Sequence, residues 1–222
     1  MTNLQKRILT SIIILPLTIF FIVKGGYFLL LFLFSIFFIA NYELFSVFNK
    51  KAIILFLDLV LILFLFSLYY LAVHNTDSIY LLLWIVILVI CSDVGGYVFG
   101  KIFKWKKLTK ISPKKTFSGA LGSFVFSLFS IFIANSFLPK INELFPQLSS
   151  LSINFLDSKF FFLAIILSLV AQAGDLIISY FKRLEKVKDT GKILPGHGGI
   201  LDRIDGLMFV VILAFLFYQF NI

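Results

Sequence analysis

Hydrophobic residues run through this chain in long unbroken blocks separated by short polar breaks. Seven apolar stretches stand out, at 8–23, 27–48, 52–73, 79–100, 117–138, 160–181 and 206–222. Most approach the roughly 20 residues that a helix needs to cross a bilayer. Polarity does not alternate within them, which argues against membrane strands. The pattern predicts an all-α, polytopic integral membrane protein with about seven transmembrane helices. No linker rich in Pro, Gly or Ser interrupts the blocks and no internal repeat shows, so residues 1–222 read as one membrane domain. Within it, 1–90 supply apolar N-terminal spans, 91–206 the polar chemistry and 206–222 the last span.

Composition supports this reading. The chain is 60% hydrophobic and 14% charged, where a soluble domain has about 45–50% and 25%. Its single cysteine, Cys91, excludes an intramolecular disulfide and any cysteine-based metal site. Lys6 and Arg7 ahead of Ile8 to Val23 have the look of a secretory leader. The run ends in Lys24-Gly25-Gly26 with no small-x-small cleavage site, so a retained first span is expected.

Charge gives the spans a direction. Lys6, Arg7, Lys50 and Lys51, the lysines between 101 and 116, and the basic residues between 182 and 205 all fall on one side of a seven-span model. Only Lys24, Lys140 and Lys159 fall on the other. Positive residues favour the cytoplasmic side, which predicts N-in, C-out. The +9 net charge is thus mainly topological, with a contribution to holding anionic lipid. Nucleic acid is excluded as a partner, because the charge flanks spans instead of lining a soluble face.

Ionisable residues inside spans are costly and usually face a protein interior or a wet cavity. Glu43, Asp58, Asp93 and Asp175 are the candidates. Taken alone, Asp58 and Glu43 read as structural partners for a lysine or a backbone group, and Glu43 as able to snorkel to the surface near Asn49. Asp93 precedes Lys101 by eight residues and Asp175 precedes Lys182 by seven. Both therefore lie about 10–12 Å below the inner charged loops. Asp202 and Asp205 stand where the last span begins. Carboxylates from three spans thus converge in the cytoplasmic half of the bilayer, and such a cluster needs protons or cations to neutralise it. Hard oxygen ligands suit Mg²⁺, which usually takes one or two carboxylates plus substrate phosphates.

Two polar stretches surround these acids. In "CSDVGGYVFGKIFKWKKLTKISPKKTFSGALGS", residues 91–123, Gly95, Gly96 and Gly100 allow close backbone approach near Asp93. Pro113 should interrupt any helix there. Ser112, Lys114, Lys115 and Thr116 form a compact group suited to phosphate contact. In "KVKDTGKILPGHGGILDRIDG", residues 186–206, Gly196, Gly198 and Gly199 flank His197, and turns of this type can aim backbone N–H groups at an anion. If the last helix starts near Leu201, Asp202 and Asp205 share one face, with Arg203 pointing elsewhere. His74 is the one other histidine and falls on the opposite side, so a histidine metal site is not expected. Trp84 and Trp105 are candidate membrane-boundary residues.

The stretch 179–205 reads S-x-F-K-R, four residues, K-D-x-G, two residues, L-P-x-H-G-G-I-x-D-R-I-D. It resembles the signature of phosphatidate cytidylyltransferases, also called CDP-diacylglycerol synthases, along all 27 of its positions. "SDVGGYVFGK", "ISPKKTFSG" and "AGDLIISYFKR" also resemble segments of that family, and the similarity covers about 91–206. Ile178 and Ser118 stand where glutamates are common in the family, and Gly206 where a serine is. The chain is also shorter than the family pattern by a span or two in its N-terminal half.

The resemblance implies that phosphatidate and CTP give CDP-diacylglycerol and pyrophosphate at the cytoplasmic face of a bacterial-type inner membrane. It implies one or two Mg²⁺ ions at Asp175, Asp202 and Asp205, with a monovalent ion as a further candidate. Lys182, Arg183, Lys188 and Arg203 would hold CTP phosphates or the lipid headgroup, with Asp189 and His197 beside them. Asp93, Ser112, Lys114, Lys115, Thr116, Gly198 and Gly199 would bind substrate on the other wall. Homodimers are common among such proteins. The rivals are an ion-coupled transporter, with carboxylates spread through the full depth, and another CDP-lipid transferase or a lipid kinase.

Overall fold

The computed structural model of the protein describes residues 3–109, 112–145, 148, 153–191, 193 and 198–220, with side chains from residue 14 onward, Asn142 apart. Seven α-helices are present among them: α1 (Asn3–Lys24), α2 (Gly26–Val47), α3 (Lys51–Val73), α4 (Thr76–Phe103), α5 (Phe117–Leu144), α6 (Ser158–Leu184) and α7 (Leu201–Gln219). Five of these, α2 to α6, are long and apolar enough to cross a membrane. The outward face of α2 carries exposed Tyr27, Phe28, Leu31, Phe34, Phe38, Tyr42 and Phe45. A continuous apolar face of that size is untenable in water and ordinary against lipid tails. This is a multi-pass membrane protein.

Local chemistry sets the breaks. Gly25 and Gly26 have φ of 62° and 52°, a left-handed backbone that ends α1. Asn75 opens α4 through a capping box: its side chain accepts from the Ser78 N–H at 2.8 Å, and the Ser78 hydroxyl accepts from the Asn75 N–H at 3.1 Å. The Thr116 hydroxyl opens α5 by accepting from the Gly119 N–H at 3.1 Å.

Between α4 and α5 the chain doubles back. Leu108 N–H donates to the Lys115 carbonyl at 2.8 Å, and Phe117 N–H to that of Lys106 at 3.1 Å. Ser112 and Pro113 occupy the first two turn positions, and Lys115 N–H closes the turn on the Ser112 carbonyl at 3.0 Å.

Lipid tails give helices little hydrophobic reason to associate, so close packing and interhelical hydrogen bonds must hold the bundle. The most extensive pair is α4 with α5. A Cβ on Gly95 would overlap the Gly122 carbonyl, and one on Gly119 would come within 2.8 Å of the Gly96 carbonyl. The two backbones therefore touch. A second close crossing joins α6 to α7, where a Cβ on Gly206 would lie 2.9 Å from the Ala171 carbonyl. Serines add a polar seam: Ser92 and Ser168 hydroxyls meet at 2.9 Å, Ser123 donates to the Ser92 carbonyl at 2.8 Å, and Trp84 Nε1 donates to Ser130 Oγ at 3.1 Å. Trp84, expected at a membrane boundary, is fully buried. The Ser130 acceptor within the bundle satisfies its N–H there, so it needs no interface. Trp105 is exposed.

Candidate active site

The C-terminal ends of α4 and α6 meet the N-terminal ends of α5 and α7 around a cavity of about 400 Å³. Asp93, Gly96 and Tyr97 come from α4, and Gln172, Asp175 and Lys182 from α6. Ser112, Lys114, Lys115 and Thr116 reach it from the hairpin. Asp189, Asp202, Arg203 and Asp205 complete the wall. Acids far apart in sequence thus share one space at one end of the bundle. Asp58 is not among the residues that line this cavity.

Each acid has a distinct setting. Asp175 Oδ2 pairs with the Lys115 ammonium at 2.6 Å, and its Oδ1 accepts from the Ser179 hydroxyl at 3.2 Å. Lys115 also donates to the Gln172 carbonyl at 3.4 Å. Asp205 Oδ1 accepts from the Gly206 N–H at 2.8 Å. The charges of Asp175 and Asp93 act on Asp205, and that of Lys182 opposes them. Lys115 and Arg203 are close enough to act on Asp93. The site is a mixed field of acids and bases in a partly dehydrated space, where charge interactions are stronger than in water.

Asp202 differs from the others. Its Oδ1 accepts from the Lys182 ammonium at 2.8 Å, and its Oδ2 from the N–H groups of Thr190 at 2.8 Å and Gly199 at 2.9 Å. Both oxygens are already engaged by the protein. Gly199 N–H, in the glycine-rich stretch, does point at an anion, and that anion is Asp202. Gly198 adopts φ +88°, and a Cβ there would lie 2.8 Å from Asp202 Oδ2. Neither Gly198 nor Gly199 lines the cavity.

Three further placements differ from expectation. Arg203 does not point away from the two aspartates but lines the same cavity. One residue of rotation is about 100° on a helix, and a long side chain at the first turn can bridge it. Arg183 is exposed and donates to the Val187 carbonyl at 2.8 Å, closing the turn after α6. Lys188 is exposed and outside the cavity lining. His197 lies outside the described residues. Ile178, which replaces a common glutamate, is buried in the apolar core.

Glu43 partners backbone groups, as its setting in the sequence suggests, but its place at this end of the bundle was missed. It does not snorkel: it is 1% exposed and accepts from the Thr190 hydroxyl at 3.1 Å and the N–H groups of Ile200 at 2.8 Å and Leu201 at 3.0 Å. The signal was an acid within an apolar span. Sequence did not show the unpaired N–H groups of α7 waiting for it.

Among the described residues, no three histidine, cysteine, aspartate or glutamate side chains form a metal cage on their own. Mg²⁺ usually needs only one or two carboxylates when phosphates complete its shell. Asp175 and Asp205, with Asp93 facing the same space, provide hard oxygens of that kind, so the donor set fits a divalent ion that arrives with a polyphosphate.

The model of the cytidylyltransferase family matches residues 47–221. The chain is 39% identical over 128 residues to a phosphatidate cytidylyltransferase of Helicobacter pylori, covering 58% of this chain and 43% of that protein. It is 39% identical over 141 residues to one of Rickettsia conorii, covering 60% and 57%. It is 41% identical over 138 residues to one of Staphylococcus haemolyticus, covering 62% and 48%. The chain spans about half the length of the curated relatives it matches.

Proposed function

The chain belongs to the cytidylyltransferase family, and we propose that it transfers the cytidylyl group of CTP to phosphatidate, giving CDP-diacylglycerol and pyrophosphate. The observation that carries this reading is the single cavity in which acids from α4, α6 and α7 face the lysines of the hairpin. Such a site suits a metal-bound polyphosphate.

A phosphate oxygen of phosphatidate attacks the α-phosphorus of CTP, the bond to the β-phosphate oxygen breaks, and pyrophosphate leaves. The attacking oxygen is already anionic, so no strong base is required. Catalysis rests on holding two anions together and on stabilising charge at the transferring phosphorus. Lys114 and Lys115 stand on one wall, and Lys182 and Arg203 on the other, to bind those phosphates. The Lys115–Asp175 pair must loosen as substrate enters, and each partner then has a counter-charge to meet. A Mg²⁺ ion held by Asp175 and Asp205 would neutralise phosphate charge there. Asp202, engaged by Lys182, Thr190 and Gly199, serves in this scheme to fix Lys182 and the first turn of α7. The apolar helices keep the acyl chains in the bilayer while the headgroup reacts. The basic loops support a cytoplasmic location for this end of the bundle, in a scheme of seven spans running N-in to C-out.

CTP labelled at either its α- or its γ-phosphate tests the reaction class in detergent with Mg²⁺. With phosphatidate, α-label is expected in the lipid phase and γ-label in pyrophosphate. γ-Label in the lipid would mark a kinase. Absence of lipid label from either nucleotide would overturn the proposal.

A further inference from the structure

Glu43 stands on α2, outside the 47–221 match to the family and away from the cavity wall. Burying a carboxylate is costly unless its oxygens find donors. Here Oε1 accepts from Ile200 N–H, and Oε2 from Leu201 N–H and the Thr190 hydroxyl. Ile200 and Leu201 open α7, where N–H groups lack intrahelical acceptors and the helix dipole favours a negative charge. The loop is shaped around this acid. A Cβ on Gly191 would come 2.7 Å from Oε1, and one on Gly199 would overlap Oε2. Glycine at these positions leaves room for a carboxylate supplied by a distant helix.

The same loop is held from its other side by Asp202. Thr190 joins the two acids: its hydroxyl donates to Glu43 and its N–H donates to Asp202. Gly199 N–H also donates to Asp202, while its α-carbon packs on Glu43. A shift of Glu43 would therefore reach Asp202 through one residue. It would reach Arg203 and Asp205 through the first turn of α7.

We propose that Glu43 is a positioning residue for cytidylyl transfer, setting through Thr190 and the start of α7 where Asp202, Arg203 and Asp205 stand on the cavity wall. This inference rests on the transferase reading for its kinetic part and on the hydrogen-bond geometry for the rest. Its consequence is that the N-terminal half of the chain, through α2, helps to build a site whose signature residues all lie in the C-terminal half.

Glu43→Gln keeps the shape of the side chain, removes its charge and turns an NH₂ group toward some of the donors. Backbone hydrogen exchange in detergent should rise at Thr190 and over 199–203, with α4 and α5 unchanged. Turnover should fall by about 10–100-fold, the usual loss when a supporting partner is removed. KM for CTP should rise by less than turnover falls, because Arg203 shifts while the hairpin lysines, which are not tied to Glu43, still hold phosphate. Thr190→Val should reproduce both effects, Thr190→Ser should restore them, and the Glu43→Gln/Thr190→Val double variant should be no worse than Glu43→Gln alone. Exchange like wild type over 190–203, additive losses in the double variant, or exchange rising uniformly through α4 and α5 in both single variants would overturn the proposal. Absence of turnover in the wild-type chain would sink the transferase reading, while the exchange pattern would still decide whether Glu43 anchors the loop.

Discussion

Lys182 meets Asp202 at 2.8 Å with side chains 9% and 5% exposed, whereas Lys115 meets Asp175 at 2.6 Å with side chains 23% and 35% exposed. Burial, more than distance, ranks the two pairs. Removing one partner of a buried pair leaves an uncompensated charge and costs about 3–5 kcal/mol. A more exposed pair contributes only about 0–1 kcal/mol. Asp202 also loses good acceptors for two backbone N–H groups when it is changed. Asp202→Asn should therefore lower the thermal midpoint in detergent clearly, while Asp175→Asn leaves it near that of the wild-type protein. Equal losses in the two would contradict this ranking. Sequence brought both aspartates to the same end of the spans, Asp175 by its distance from Lys182 and Asp202 by its position where the last span begins. It could not divide their roles, because that depends on which N–H groups the loop 189–200 turns inward.

At the scale of elements, apolar runs located every helix but not every end. The run at 52–73 corresponds closely to α3 at Lys51–Val73. The run at 117–138 stops six residues short of the end of α5 at Leu144, because the helix continues through Pro139 into a polar last turn. Backbone hydrogen bonding carries a helix beyond the apolar segment that signals it. Glycines at 95, 96 and 100 predicted close approach near Asp93, and their partners prove to be Gly119 and Gly122 on α5. A methyl group at Gly122 would overlap the Gly95 carbonyl and the Phe99 side chain. Overpacking of this kind costs about 1–3 kcal/mol. Gly122→Ala should lose that much stability in reversible denaturation, and full stability would show that the two backbones are not in contact.

For the whole molecule, the informative fact is where polarity has been placed. The acids and lysines that lipid would penalise most are gathered at one end of the bundle, with apolar surface around them. The alternation of basic loops made that end legible, and the signature stretch supplied its chemistry. The contribution of α2 was not legible, since Glu43 and Thr190 are 147 residues apart and only folding brings them together. The central claim is that carboxylates from separate helices act together on a polyphosphate. Its most direct test is the initial rate of phosphatidate-dependent CDP-diacylglycerol formation by Asp175→Asn and Asp205→Asn, each beside wild type at equal amounts of folded protein. Both rates should fall by about 100-fold or more, as expected when preorganised charge at a reacting phosphate is lost. Rates near that of the wild-type protein in both variants would contradict the account.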